Sequence, residues 1–230
     1  SVGKTMLSTM QNDLHSRFRP LYWVERVACT ALFGSNLFYW NIYTALKGIL
    51  TYALFIIVAR NLRFPRLISV LFASIIVLGP QFTPWYRSAN QENTGLLLCA
   101  VALWLISVQY HTGKYQGKLW NLCICISVIL CGLEKESFTL CMPAFAALKL
   151  WLEYSEGKCS FMQCIKNNLW VYLVIGAVFL NHVGWLLFGV GLDNVSYAGF
   201  QEETRLSEYF YGIRDSLMVF LKWYTLIAIL

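Results

Sequence analysis

Three short stretches gather residue types able to hold a phosphate or a sugar. In Arg17-Phe18-Arg19-Pro20-Leu21-Tyr22, two guanidinium groups precede a proline suited to a first helical turn, where its missing N–H costs nothing. Arginine forks beside a helix N-terminus favour an anion, because fork geometry and helix dipole act together. The same arginines would also suit lipid headgroups. Glu134-Lys135-Glu136-Ser137 lies between two apolar runs, where charge is costly unless paired or hydrated. Either this is a plain turn with Lys135 neutralised by its glutamates, or Lys135 reaches a phosphate and Glu136 holds it there. Trp85-Tyr86-Arg87, followed by Asn90-Gln91-Glu92-Asn93, combines aromatic faces, amides and a carboxylate. A sugar has apolar faces and hydroxyl edges that such a surface fits; an ordinary polar turn reads equally well.

Other polar residues stand alone. Lys47 lies about nine residues into an apolar run, where a lysine should face a protein interior or water. Asn181 and His182 are placed similarly, and a lone histidine more often satisfies a local hydrogen bond than binds a metal. Asp13, Glu202, Glu203 and Glu208 have no spacing that marks a catalytic pair. Six of the eight cysteines (Cys29, Cys99, Cys123, Cys125, Cys131 and Cys141) sit within apolar stretches and read as small hydrophobes. Cys123 and Cys125 are two apart, so on a helix they point to different sides and make a poor metal pair.

The elements that must position these residues are membrane helices. Of 230 residues, 58% are hydrophobic and 13% charged; soluble domains carry about twice that share of charge. A formal charge of +6 is spread over short loops, with no basic block that would suit nucleic acid. It suits anionic lipid or a phosphorylated ligand. A crossing needs about 20 apolar residues, and candidate runs occur at 38–58, 67–80, 94–110, 119–133, 138–152, 169–190 and 213–230. The expected fold is therefore all-α: a polytopic bundle of about seven spans between 38 and 230.

Loop charge orients the bundle. Arg60, Arg63, Arg66, Lys114, Lys118, Lys158 and Lys166 fall in one set of alternating loops, and Arg87, Lys135 and Arg205 in the other. The positive-inside rule places the richer set in the cytoplasm. Residues 1–37 then lie outside, although they carry Lys4, Arg17, Arg19 and Arg26. Residues 21–33 are too short and too charged to span. Their apolar positions (Leu21, Val24, Ala28 and Leu32, with Trp23 and Val27 beside them) predict an amphipathic helix on the outer surface, closed by Gly34. Ser1 is not a methionine and Leu230 lies inside an apolar run, so both ends read as cuts through a larger protein.

In order and spacing these pieces resemble the class-C (GT-C) membrane glycosyltransferases, a superfamily that includes protein O-mannosyltransferases and bacterial polyprenyl-phosphate-sugar enzymes. The likeness rests on Arg17–Tyr22 with Leu32-Phe33-Gly34-Ser35-Asn36 and Tyr39, on residues 85–98, and on Leu133–Pro143. It covers roughly residues 13–150. Trp40 and Lys47 stand where related sequences often have histidine, and the family's acidic motif would lie upstream of the arginine-proline stretch.

The resemblance implies transfer of a sugar from a polyprenyl-phosphate donor to an acceptor glycan, lipid or protein at the outer face. It implies Arg17, Arg19 and Lys135 as donor-phosphate ligands. Trp85, Arg87, Gln91, Glu92 and Glu136 would meet sugar or acceptor, and Asp13 is the nearest acid for a catalytic role. A divalent cation is compatible with the family, but no metal ligands are identified. A multi-pass protein of a bacterial inner membrane is the expected setting. The alternatives are a lipid-linked oligosaccharide flippase, with Lys47, Asn181 and His182 as a polar path, or an envelope polysaccharide polymerase or ligase. The sequence has no nucleotide-binding glycine loop.

Overall fold

The computed structural model describes residues 19–78, 92–112, 117–155, 157, 160–185, 188, 214 and 218, with Glu136 described by its backbone alone. The described residues form helices and connecting turns. In chain order they are α1 (Pro20–Phe33), α2 (Leu37–Asn61), α3 (Arg66–Val77), α4 (Glu92–Thr112) and α5 (Lys118–Glu134). These are followed by the single turn α6 (Glu136–Thr139), α7 (Cys141–Ser155), α8 (Phe161–Asn167) and α9 (Leu169–Gly184).

Local chemistry sets the boundaries. Pro20 opens α1, and Gly34, at φ 55°, ends it with its N–H bonded to the Thr30 carbonyl. The Asn36 side chain then accepts from the Phe38 N–H at 3.0 Å and starts α2. Ser160 caps α8 by accepting from the Gln163 N–H. The run expected over 138–152 is interrupted at Leu140, which separates α6 from α7.

Two of these helices, α2 with 25 residues and α4 with 21, are long and apolar enough to cross a membrane. The bent pair α8–α9, which turns through 74°, makes a third if counted as one crossing. The 12-residue α3 is shorter, about 18 Å at the helical rise. The 17 residues of α5 reach about 25 Å, against a hydrocarbon core of about 30 Å. Of the run expected at 213–230, the structure describes residues 214 and 218 alone.

Burial gives an independent signal of the membrane. On α2, Thr44, Lys47 and Thr51 are buried, whereas Ile42, Leu46, Ile49 and Leu50 are exposed. In α1, Val24, Val27 and Leu32 are exposed, while Glu25 and Arg26 are partly covered. A water-soluble helix arranges itself the other way round. Here the apolar stripe faces outward, where lipid chains can solvate it, and the polar groups turn inward, where Lys47 meets Glu25 and Thr94.

Packing centres on α4 and α5, which bury Cys99, Ala102, Leu105, Ile106, Ile124, Cys125, Val128 and Cys131 together with Met142, Phe145 and Leu152 of α7 and Val171 and Ile175 of α9. A second cluster joins Leu54 and Phe55 of α2 to Ala73 and Val77 of α3 and Leu96 and Ala100 of α4. The thiols of Cys29, Cys99, Cys123, Cys125, Cys131 and Cys141 are free, as expected of small core residues, with Cys99 and Cys131 sulfurs 3.3 Å apart. Cys164, enclosed in α8, is disulfide-bonded.

At the Gln109 end of the bundle a closed ring of side chains ties four segments together. Gln109 Nε2 donates to Asn121 Oδ1 (3.2 Å), and Asn121 Nδ2 to Asn168 Oδ1 (3.1 Å). Asn168 Nδ2 donates to Glu153 Oε2 (2.7 Å). Lys149, buried, closes the circuit by pairing with Glu153 and donating to Gln109 Oε1 at 2.9 Å.

At the opposite end one close approach fixes α4 against α6. A side chain placed on Gly95 would collide with the ring of Phe138, so only glycine fits there. Gly95→Ala is expected to cost about 1–3 kcal/mol. Thermal unfolding of the full-length protein in detergent would measure this loss. The double variant Gly95→Ala/Phe138→Ala should lose less than the sum of the single losses; strict additivity would show that the two residues do not touch.

Candidate functional site

A lysine ammonium inside an apolar helix must be charge-paired or hydrated, and Lys47 is paired. Its Nζ lies 2.7 Å from Glu25 Oε1 of α1 and donates to Thr94 Oγ1 of α4, also at 2.7 Å. It stands 4.2 Å from the centre of the Tyr43 ring, and the Tyr43 hydroxyl donates to the same Glu25 oxygen at 3.1 Å. Thr94 passes the polarity on, donating to Asn93 Oδ1 at 3.1 Å. Three helices are therefore joined through one amino group.

The turn from α1 to α2 holds Glu25 in place. Trp40 Nε1 donates to the Gly34 carbonyl at 3.1 Å, and the Arg26 guanidinium lies over the Trp40 ring at 4.9 Å. The Phe33 ring packs against Trp40 and Tyr43 at 5.7 and 5.8 Å. This aromatic corner aims the carboxylate of one helix at the lysine of the next.

A second ion pair lies in the same end of the bundle. Lys135 Nζ is 2.6 Å from Glu92 Oε1, which joins the start of α4 to the turn after α5. The pair sits one helical turn from the Gly95–Phe138 contact, which sets the separation of the two segments. At the same end of the bundle α5 finishes on Glu134. No part of its side chain is exposed, and neither of its oxygens has a hydrogen-bond partner. One oxygen each of Glu25 and Glu92, and the Asn93 amide nitrogen, are likewise buried without a partner.

The sequence-level candidates are distributed unevenly. Glu92 and Lys135 meet directly, although 43 positions apart. Arg19, the residue before α1, has its guanidinium 5.0 Å above the Tyr22 ring. Asp13, Arg17, Trp85, Arg87 and Gln91 lie outside the described residues, and of Glu136 only the backbone is described. Lys47 enters the site, His182 is buried close to Gly132, and Asn181 is exposed. Among the described residues, no group of three or more His, Cys, Asp or Glu side chains could hold a metal ion.

Glu25, Tyr43 and Thr94 belong to the cluster but carry no mark in the sequence, and Asn93 and Glu134, which also belong to it, stand in the sequence only as members of the polar stretches at 90–93 and 134–137. For Glu134 a signal existed. It continues the buried face of Ser127, Cys131 and Ile124 along α5, so helical phase turns it inward rather than toward the solvent side of a turn. For Glu25 nothing in its own segment points to Lys47, 22 positions away.

The arrangement offers two ammonium groups, each held by a carboxylate that an anionic ligand could replace, beside carboxylate oxygens free to accept from hydroxyl donors. Lys47→Met is expected to cost about 3 kcal/mol, because it leaves the Glu25 carboxylate enclosed without its counter-charge. Adding Glu25→Gln should restore more than half of that loss in the unfolding midpoint. A double variant as unstable as the single one would mean that the pair does not govern stability. Compared with known protein families, with characterised proteins and with solved structures, the chain matches none.

Proposed function

We propose that this chain is the membrane part of a glycosyltransferase that moves a sugar from a polyprenyl-phosphate donor to an acceptor at the outer face. The observation that carries this reading is the pairing of Lys135 with Glu92 beside the Lys47–Glu25 pair, at one end of an inside-out helical bundle. Glu92 and Lys135 come from two of the three stretches that carry the resemblance to class-C transferases, and Glu25 lies within the segment spanned by the third. The remaining apolar helices and the runs at 67–80 and 213–230 would complete a seven-span protein of a bacterial inner membrane.

The chemistry is acetal transfer. The acceptor oxygen bonds to the anomeric carbon, the bond from that carbon to the phosphate oxygen breaks, and the acceptor proton passes to a carboxylate. The departing phosphate gains negative charge, which Lys135 and Lys47 stabilise once it displaces Glu92 and Glu25 from them. Arg19, at the head of α1, and Arg17 before it supply further positive charge near the membrane surface. Asp13 or an upstream acid serves as the base; Trp85, Arg87, Gln91 and Glu136 complete the sugar and acceptor surface.

A flippase would use Lys47, Asn181 and His182 as one polar path. Lys47 and His182 are buried while Asn181 is exposed, so the three have less in common than that reading needs. On orientation, the basic loops assign the Gln109 end to the cytoplasm, whereas the disulfide at Cys164 belongs to an oxidising compartment. The charge bias draws on three separate loops and sets the orientation.

Sugar transfer from a labelled lipid-phosphate donor by the full-length protein tests the reaction. Lys135→Ala and Arg19→Ala should each lower the rate by at least about tenfold while the protein stays folded; unchanged rates would remove the phosphate assignment. Movement of the intact donor across the bilayer without bond cleavage would favour the flippase. Sidedness has its own test. A membrane-impermeant thiol reagent should label Ser137→Cys from outside intact cells, and Gly117→Cys only after permeabilisation. The reverse pattern would invert the orientation.

A further inference from the structure

Three cysteines from three helices converge near the Glu92 end of the bundle. The sulfurs of Cys99 on α4 and Cys131 on α5 lie 3.3 Å apart, about 1.3 Å more than the length of an S–S bond. Cys141, the first residue of α7, is hydrogen-bonded to Cys99. All three thiols are free. Close packing alone asks for small side chains here, and alanine meets that need next door, where Ala100 and Ala102 are fully buried. What distinguishes the cysteines is that their sulfurs touch.

The three are also graded in exposure. Cys131 is 0% exposed and Cys99 8%, whereas Cys141 is partly exposed. A reagent arriving from outside the bundle therefore meets Cys141 first. From Cys141 the contacts lead inward to Cys99 and then to Cys131.

We propose that Cys141, Cys99 and Cys131 form a thiol–disulfide exchange site, which takes up a small disulfide at Cys141 and ends with a bond between Cys99 and Cys131. The Cys141 sulfur attacks the small disulfide; a mixed disulfide forms and one thiolate leaves. Cys99 attacks the Cys141 sulfur, a Cys99–Cys141 bond forms, and the second thiolate leaves. Cys131 then attacks the Cys99 sulfur, and the Cys141 thiol is restored. Cys99 and Cys131 are thereby oxidised, the small disulfide is reduced to two thiols, and those thiols carry away the two protons. The inference stands on the sulfur contacts and is separate from the transferase reading.

The bond would form at a sensitive place. Cys99 is one helical turn from Gly95, whose carbonyl accepts from the Cys131 thiol at 3.7 Å and whose Cα faces the Phe138 ring. Cys131 is one turn from Lys135. A Cys99–Cys131 disulfide therefore fixes the separation of the two segments that carry Glu92 and Lys135, which in the reduced protein rests on their ion pair and the Gly95–Phe138 contact.

The test treats full-length protein in lipid nanodiscs with dithiodipyridine, a neutral aromatic disulfide, and maps the linked peptides. The native protein should yield a Cys99–Cys131 pair, with Cys125, equally buried, left unmodified. Cys141→Ser should form that bond at least about tenfold more slowly, having lost the accessible entry thiol. Cys131→Ser should stop one step earlier, with the bond between Cys99 and Cys141. Native protein that gives no Cys99–Cys131 pair overturns the proposal, and so does a Cys141→Ser variant that forms it at the native rate. Modification of Cys125 as fast as the other three would show that the thiols react through unfolding, which overturns it as well.

Discussion

A single amino group organises one end of this molecule. Lys47 sits on a helix whose outward side chains are isoleucine and leucine, so its charge must be met from within the bundle. Glu25 and Thr94 meet it, and in doing so bring α1 and α4 to the same point on α2. The aromatic corner of Phe33, Trp40 and Tyr43 exists around this contact, since the turn at Gly34 must be tight enough to return Glu25 toward α2. With α1 so placed, its apolar stripe is left facing outward. The surface helix and the buried ion pair are thus two results of one electrostatic requirement.

The polarity of the chain extends this logic to both ends. Glu92 and Gln109 are 17 positions apart on α4, about 25 Å at the helical rise. That length is close to the thickness of a hydrocarbon layer. The polar clusters gather around these two positions, and between them the interior is built of small thiols, alanine, leucine and isoleucine. Polar side chains are concentrated around the two positions where headgroups and water would lie.

Much of the helical layout was legible from apolar run length alone. The runs 38–58, 94–110 and 119–133 became α2, α4 and α5 with ends extended by one to three residues. Pro20 and Gly34 marked α1 at both ends. The break at Leu140 and the bend at Asn168 were not legible, because both lie within or beside apolar sequence and depend on tertiary partners. The site was half legible. Glu92 and Lys135 stood out as charges between apolar runs, but their pairing needed α4 and α5 to be neighbours. Glu134 reads in the sequence as one of two glutamates that could neutralise Lys135 in a turn, whereas the structure buries it as the last residue of α5.

The ring of Gln109, Asn121, Lys149, Glu153 and Asn168 has a mechanical consequence. Each member is bonded to two others, so the bonds among buried Gln109, Asn121 and Lys149 cannot open without leaving a buried polar group short of a partner. At the far end several oxygens already go unmet, and exchanging partners there sacrifices little. Any rearrangement of the bundle would then pivot on the ring, splaying the opposite mouth while the ringed base stays clasped, much as a peg opens about its spring.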